Sequence, residues 1–491
     1  MAEKTESKPE EKKEEKPVPK DNLVESKHSI KIGGKVIKYT VTTGTMVLKE
    51  EVNEKDAEIE KPRAQIFFIA YTKDGVRDKS KRPITFSFNG GPGSSSVWLH
   101  MGVLGPRRVV LTDDGEMPPP PFKLTDNQYS ILDETDLVFI DPMSTGYSRP
   151  VEGEKSREWH TFTKDIQSVG DFIRLYATRY HRWLSPKFLA GESYGTTRSA
   201  GLSGYLQDRH GMLLNGLVLI SAVLDFTTID FNLNNDLPYI LFLPAYTATA
   251  WYHGKLNFKS SLEEALKEAE EFAMGEYAIA LLKGASLTPE ERASVVEKLS
   301  RYTGISQDFI ERTDLRILDQ HYFKELLRER GKTVGRLDSR YTGTDRSGVT
   351  ATPEYDPLFA QVNGPYTAAF NDYIRTELKF ETDTPYEILS DKVWIQWSYS
   401  YFQNQYVNVA ETLRGAMTFN KYLKVFVANG YYDLGTPYFA TEYTFDHLGL
   451  EQSLRKNIRM AYYKAGHMMY VHLPSLKEMK KDIAKFIKDA S

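Results

Sequence analysis

The five residues Gly191-Glu192-Ser193-Tyr194-Gly195 constrain this chain more than any other stretch. They follow the apolar run Phe188-Leu189-Ala190 and precede the small-residue, helix-compatible segment Thr196-Thr197-Arg198-Ser199-Ala200-Gly201-Leu202. That pattern predicts a strand, a tight turn and a helix. A serine between two glycines at such a junction sits on a strained elbow, its hydroxyl above the sheet edge and the positive end of the next helix aimed at it. Ser193 is therefore a candidate nucleophile. A surface turn uses the same residue types, so the pentapeptide carries weight only with partners.

A hydroxyl is a weak nucleophile near neutral pH. It needs a base within hydrogen-bond reach and a third group that fixes the tautomer of that base. On a sheet with this kind of elbow, the order along the chain is Ser, then Asp or Glu, then His. Val425-Phe426-Val427-Ala428 reads as a buried strand leading to Asn429-Gly430-Tyr431-Tyr432-Asp433, and Ile458–Tyr463 reads as another leading to Ala465-Gly466-His467. Taken singly, Asp433 fits a turn aspartate and His467 a loop or core histidine. Three residues of the required chemistry, each after its own apolar strand and in the required order, outweigh those readings.

A second unusual stretch, Asn89-Gly90-Gly91-Pro92-Gly93-Ser94-Ser95-Ser96, follows the strand-like Pro83–Phe88. Attack on a carbonyl builds a tetrahedral oxyanion, and a loop without side chains lets backbone N–H groups approach it. The N–H groups of Gly91 and of Tyr194, the residue after the nucleophile, are the natural donors. A sharp loop that needs glycine only for its dihedrals is the plainer alternative. A phosphate-binding loop is disfavoured, since neither the Lys-Ser/Thr ending nor the Gly-x-Gly-x-x-Gly spacing is present.

Together, Asn89 to Ser96, Gly191 to Gly195, Gly430 to Asp433 and Ala465-Gly466-His467-Met468 resemble the serine carboxypeptidase family, peptidase family S10, over most of residues 65–225 and 395–485. Asn127-Gln128-Tyr129-Ser130 and the run from Leu137 to Pro142 into Thr145-Gly146-Tyr147-Ser148 agree. The resemblance implies an α/β-hydrolase fold: a mostly parallel central sheet with helices on both faces and a helical cap inserted. It implies removal of C-terminal residues through an acyl-enzyme, with Ser193, Asp433 and His467 as triad and Gly91 and Tyr194 as oxyanion hole. It further assigns Asn89 and Glu192 to the substrate's terminal carboxylate. Gly90 in the glycine loop and Met468 beside His467 are candidates for the substrate pocket, with packing the default for methionine. A carboxyl beside a bound carboxylate is disfavoured as an anion, so Glu192 is expected to carry a raised pKa and to favour mildly acid conditions. An esterase or acyltransferase on the same triad, and an inactive hydrolase-fold binding protein, are the alternatives.

The chain also departs from the family pattern. It has no cysteine, so the family's disulfides are absent, and Ser94 stands where the glycine loop usually carries cysteine. Ser87 replaces a usual tryptophan, Pro142 a usual glutamine and Pro437 a common asparagine. A second glutamate that supports the carboxylate-binding one falls on Val103. These changes point to a divergent bacterial branch and put the acid-pH hydrogen-bond network in question.

Composition sets outer limits. At 491 residues the chain exceeds one ordinary core and invites a main domain with an insertion. A net charge of −4 gives no electrostatic case for nucleic acid or an anionic membrane, and no apolar run is long enough to span a bilayer. Zero cysteine excludes thiol catalysis and zinc–thiolate sites, and the proposed chemistry calls for no cofactor and no metal. The partners expected are peptide or protein C-termini, with a homodimer left open.

Residues 1–27 are expected to be a disordered tail, since Met1 to Lys20 hold six Glu and six Lys and almost nothing apolar. No secretory signal is recognisable there, although the family resemblance implies a periplasmic or secreted protein. The hydrolase core is expected over 28–225 and 395–491. It opens with a hairpin about Gly33-Gly34 and a strand near 65–71, and closes with an amphipathic helix over 474–488. From 226 to 394 helix signals replace strands, including Leu262–Leu282 and a helix from Pro289 with Thr288 as N-cap, which predicts the cap. Its aromatics, Tyr239, Phe242, Tyr246, Trp251 and Tyr252, are expected to form the cap core, and 341–355 a loop.

Overall fold

The computed structural model describes residues 19–54 and 57–491. Nine strands form the body of the main sheet: β1 (Asn22–Ile32), β2 (Lys35–Glu54), β3 (Ala57–Lys73), β4 (Ile84–Phe88), β5 (Asp136–Ile140), β6 (Lys187–Ser193), β7 (Gly216–Ala222), β8 (Lys424–Gly430) and β9 (Ile458–Tyr463). Their spatial order is β1-β2-β3-β5-β4-β6-β7-β8-β9, and the short strand Arg149–Pro150 adds to β3. The first three strands and the β3–β5 pair are antiparallel, while every pair from β5 to β9 is parallel. The expected central sheet is therefore present.

Alternation along the strands sorts side chains between two cores, because successive residues face opposite sides of a sheet. Phe188, Ala190, Val218, Ile220, Phe426 and Ala428 join one buried cluster, and Leu189, Leu217, Leu219, Val425 and Val427 the other. Helices α1 (Phe162–Arg179) and α2 (Tyr194–His210) cover the second face. Helix α3 (Leu237–Tyr252), α4 (Leu262–Phe272) and α5 (Pro289–Thr303) build a separate cluster above the sheet's carboxyl ends. Thr288 caps α5 in a reciprocal box with Glu291, as the sequence predicts. Helix α6 (Pro357–Thr376) and the terminal α7 (Leu473–Ala490) lie on the first face.

Several boundaries differ from expectation. Residues 22–27 are not a tail: they belong to β1, whose main chain pairs with β2 from Asn22↔Thr45 onward. Their polar composition hides an alternating half-buried pattern that the neighbouring strand completes. Residues 1–18 of the expected tail lie outside the described residues. Helix α6 falls within the segment read as cap, yet its Leu358, Val362, Phe370 and Ile374 pack into the sheet core. Within the expected loop, Thr342–Gly343 pairs with Thr333–Val334. Among the cap aromatics, Phe242 and Tyr246 are buried in the cap cluster, whereas Tyr252 is exposed. Among the described residues no helix is long and apolar enough to cross a membrane.

Candidate active site

Strand register decides which loops meet. In the centre of the sheet Phe88 lies opposite Gly191, so the loop leaving β4 begins beside the end of β6 and Asn89 stands next to Glu192. From this point the chain crosses from β4 to β5 on one side, while β6 lies on the other. Such a switch in direction opens a crevice at the strands' carboxyl ends.

Ser193 occupies the elbow at φ 59° and ψ −131°, a region that a residue with a Cβ adopts only under constraint. Two glycines make the elbow possible by close approach. A Cβ on Gly191 would lie 2.2 Å from the carbonyl oxygen of Gly195, and one on Gly90 would lie 2.5 Å from the amide nitrogen of Tyr194. The glycine loop therefore rests on the elbow backbone. Gly91, Ser193 and Tyr194 line one cavity of about 280 Å³.

The loops after β8 and β9 supply the other predicted residues. Asp433 is fully buried and its carboxylate accepts from the N–H groups of Gly435 (2.7 Å) and Thr436 (3.0 Å) and from the Thr436 hydroxyl (2.8 Å). Its Oδ2 also lies 2.7 Å from Nδ1 of His467. The His467 backbone is pinned from both sides, its N–H donating to Leu337 and its carbonyl accepting from Ser221. Burial disfavours the imidazolium, but the Asp433 carboxylate outweighs it and raises the His467 pKa above its ordinary value. Among the described residues no hydrogen bond joins the Ser193 hydroxyl to the imidazole. Such bonds are often long before substrate binds.

Asn89 and Glu192 form a second, buried group. Asn89 Nδ2 donates to Glu192 Oε2 at 2.9 Å, while Asn89 Oδ1 accepts from the N–H of Leu99. The Tyr470 hydroxyl donates to the same Glu192 oxygen at 2.6 Å. Burial pushes the Glu192 pKa up to about 7, against the downward pull of His467, Tyr470 and Asn89. Behind this group, Arg198 Nε pairs with Asp165 at 2.8 Å and its Nη1 donates to the Asn89 carbonyl at 2.5 Å. Arg198 is 1% exposed, so it ties the elbow helix to the glycine loop from within the core.

The departures now have structural outcomes. Val103 is fully buried in the apolar core and offers Glu192 no carboxyl partner, and the Tyr470 hydroxyl donates to Glu192. Ser94 Oγ accepts from Trp98 Nε1, and the Ser87 hydroxyl is buried without a partner among the described residues. Gly90 and Met468, expected to line the substrate pocket, do not line the cavity at Ser193: Gly90 meets the elbow backbone and Met468 packs in the core. Sequence reasoning missed Thr436, Tyr470 and Arg336. Thr436 follows Asp433 by three residues, a spacing suited to a side-chain bond, but Tyr470 and Arg336 carry no sequence signal.

A doubly covered, mostly parallel sheet with a serine elbow at its carboxyl edge defines an α/β-hydrolase of the serine hydrolase class. The chain matches the serine carboxypeptidase (peptidase S10) family model over residues 56–480 and belongs to that family. The pheromone-processing carboxypeptidase KEX1 of Saccharomyces cerevisiae is 31% identical over 152 residues, 30% of this chain and 19% of that protein. Serine carboxypeptidase-like 33 of Arabidopsis thaliana is 30% identical over 143 residues, 27% of this chain and 26% of that protein. The chain thus aligns with about a fifth to a quarter of the length of these relatives. In fold it is similar to the crystal structure of a KEX1 prohormone-processing carboxypeptidase from Saccharomyces cerevisiae, with a TM-score of 0.57, 16% identity and 92% of each chain covered.

Proposed function

We propose that this protein is a serine carboxypeptidase that removes C-terminal residues from peptides through a Ser193–His467–Asp433 triad. The observation that carries this reading is the buried Asn89–Glu192–Tyr470 group beside the elbow. A general esterase has no use for a carboxyl group held there near neutrality. With its pKa at about 7, Glu192 is protonated in mildly acid solution and donates to the terminal carboxylate of a peptide. Asn89 supplies a further N–H.

In the proposed reaction His467 takes the Ser193 proton as the hydroxyl attacks the scissile carbonyl, and Asp433 steadies the imidazolium that forms. The N–H groups of Gly91 and Tyr194 receive the oxyanion. His467 then protonates the leaving amine, the terminal residue departs, and water clears the acyl-enzyme by the same steps in reverse order.

The test is mass spectrometry of a mixed peptide pool, with each peptide paired to its C-terminal amide. Stepwise loss from the carboxyl end, with amides cleaved at least about tenfold more slowly, is expected from loss of a charge-assisted hydrogen bond. Equal rates on acids and amides would leave a serine hydrolase without carboxylate recognition.

A further inference from the structure

The cavity at Ser193 is bordered by aromatic side chains, among them Trp394, Trp397 and Tyr399, and by one charged residue. That residue is Arg336, which precedes Asp338 and the triad-supporting carbonyl of Leu337. Its backbone is fixed at both ends: the N–H donates to Asp356 Oδ2 at 2.8 Å, and the carbonyl accepts from the N–H of Leu434 at 2.9 Å. Its side chain reaches over the turn after Asp433, where the guanidinium lies 3.4 Å from the place a Cβ on Gly435 would occupy. Yet among the described residues the guanidinium makes neither a hydrogen bond nor an ion pair.

The nearest carboxylate is that of Asp433, whose Oδ1 lies 3.3 Å from the same point over Gly435, but its oxygens are committed to Gly435, Thr436 and His467. Asp356 spends its oxygens on the N–H groups of Arg336, Leu337 and Phe359. Glu354 and Asp356 border a different cavity on the far side of Arg336, and Asp319 feels the charge without touching it. No acidic side chain lines the catalytic cavity. Arg336 is exposed, so its pull on a carboxylate is screened by solvent, but its donors are free and among the described residues it is the one charged side chain lining the cavity.

The side of the scissile bond follows from the same map. Asn89, Glu192 and Tyr470 do not line this cavity, whereas Gly91, Ser193 and Tyr194 do. A peptide whose terminal carboxylate reaches Glu192 therefore extends its acyl part into the cavity. Building on the carboxypeptidase reading, we propose that Arg336 selects a glutamate or aspartate side chain on the residue whose carbonyl Ser193 attacks, the residue left as the new C-terminus.

The experiment uses N-blocked Glu, Gln and Lys p-nitrophenyl esters, which need the triad and this cavity but no terminal carboxylate. The wild-type protein is expected to favour Glu over Gln in kcat/KM by about threefold, and over Lys by about tenfold, the scale of a solvent-exposed ion pair. The Glu preference should shrink as salt rises, because Arg336 is exposed to solvent. Arg336→Gln should bring the Glu:Gln ratio near one, and Arg336→Glu should turn the preference toward Lys. A wild-type ratio near one, or a ratio unmoved in both variants, overturns the proposal. Because each ratio is taken within one protein, a general loss of activity does not disguise the result. Failure of the carboxypeptidase reading shows separately, as equal cleavage of peptide acids and amides.

Discussion

On one side of Ser193, Asn89, Glu192 and Tyr470 are buried and hydrogen-bonded to one another, whereas on the other Arg336 and Trp394 stand exposed, the latter by 64%. The first group is backed by Arg198 and Asp165, a pair sealed in the core. In the second, Arg336 lies on a loop and Trp394 in the short helix Asp391–Gln396, both outside the sheet. Under the proposed reaction the difference has a chemical reason. Every peptide presents the same terminal carboxylate, so its receptor gains from rigidity, while the acyl side meets variable side chains and keeps its donors uncommitted.

The largest effect should strike both sides alike. Ser193→Ala should lower kcat by about four to six powers of ten, and adding His467→Ala should cost little more, because triad members act as a unit. Steady-state release of terminal residues measures this, and a large further drop in the double variant would show that the two act independently.

Next comes the foundation of the closed side. Arg198→Met leaves Asp165 buried without its ion-pair partner and frees the Asn89 carbonyl, so stability should fall by about 3–5 kcal/mol. Urea unfolding reads the loss. A change below about 1 kcal/mol would mean that the pair can relax toward solvent.

A pH profile distinguishes the two sides. Under the proposed reaction protonated Glu192 holds the carboxylate, so kcat/KM for peptides should fall as pH rises through about 7, mainly by a rise in KM. Peptide amides should lack that alkaline fall, while both substrates lose activity on the acid side as His467 becomes protonated. In Tyr470→Phe the Glu192 carboxylate loses a donor that favours its charged form, so the alkaline limb should move to higher pH. A limb that stays put would remove Tyr470 from the network.

The smallest effect belongs to the open side. Trp394→Ala should change stability by less than about 0.5 kcal/mol, because the ring is mostly in solvent. Any consequence should appear as a modest change in KM among acyl-side residues, measured with the ester series.

The positions of the three candidate triad residues were legible because each follows a strand with a strong apolar pattern. Ser193, Asp433 and His467 could be placed by that pattern and by their order. The adjacency of Asn89 and Glu192 depends instead on the register Phe88↔Gly191, which no single strand specifies. Tyr470 looks like a packing aromatic until Glu192 is brought to it from 278 residues away. Arg336 lies in a polar stretch without period, where neither helix nor strand rules apply. The β1 residues 22–27 show the converse: composition argued for disorder, and pairing with β2 decided otherwise.

The carboxylate of Asp433 is already occupied by four donors, from Gly435, twice from Thr436 and from His467. An ionised carboxylate has room for about four such partners. A proton arriving on the imidazole therefore finds no vacant seat further inward. Under the proposed reaction that proton stays on the ring until the departing amine collects it, with the aspartate as a mooring for the histidine and the outer nitrogen as the door through which protons pass.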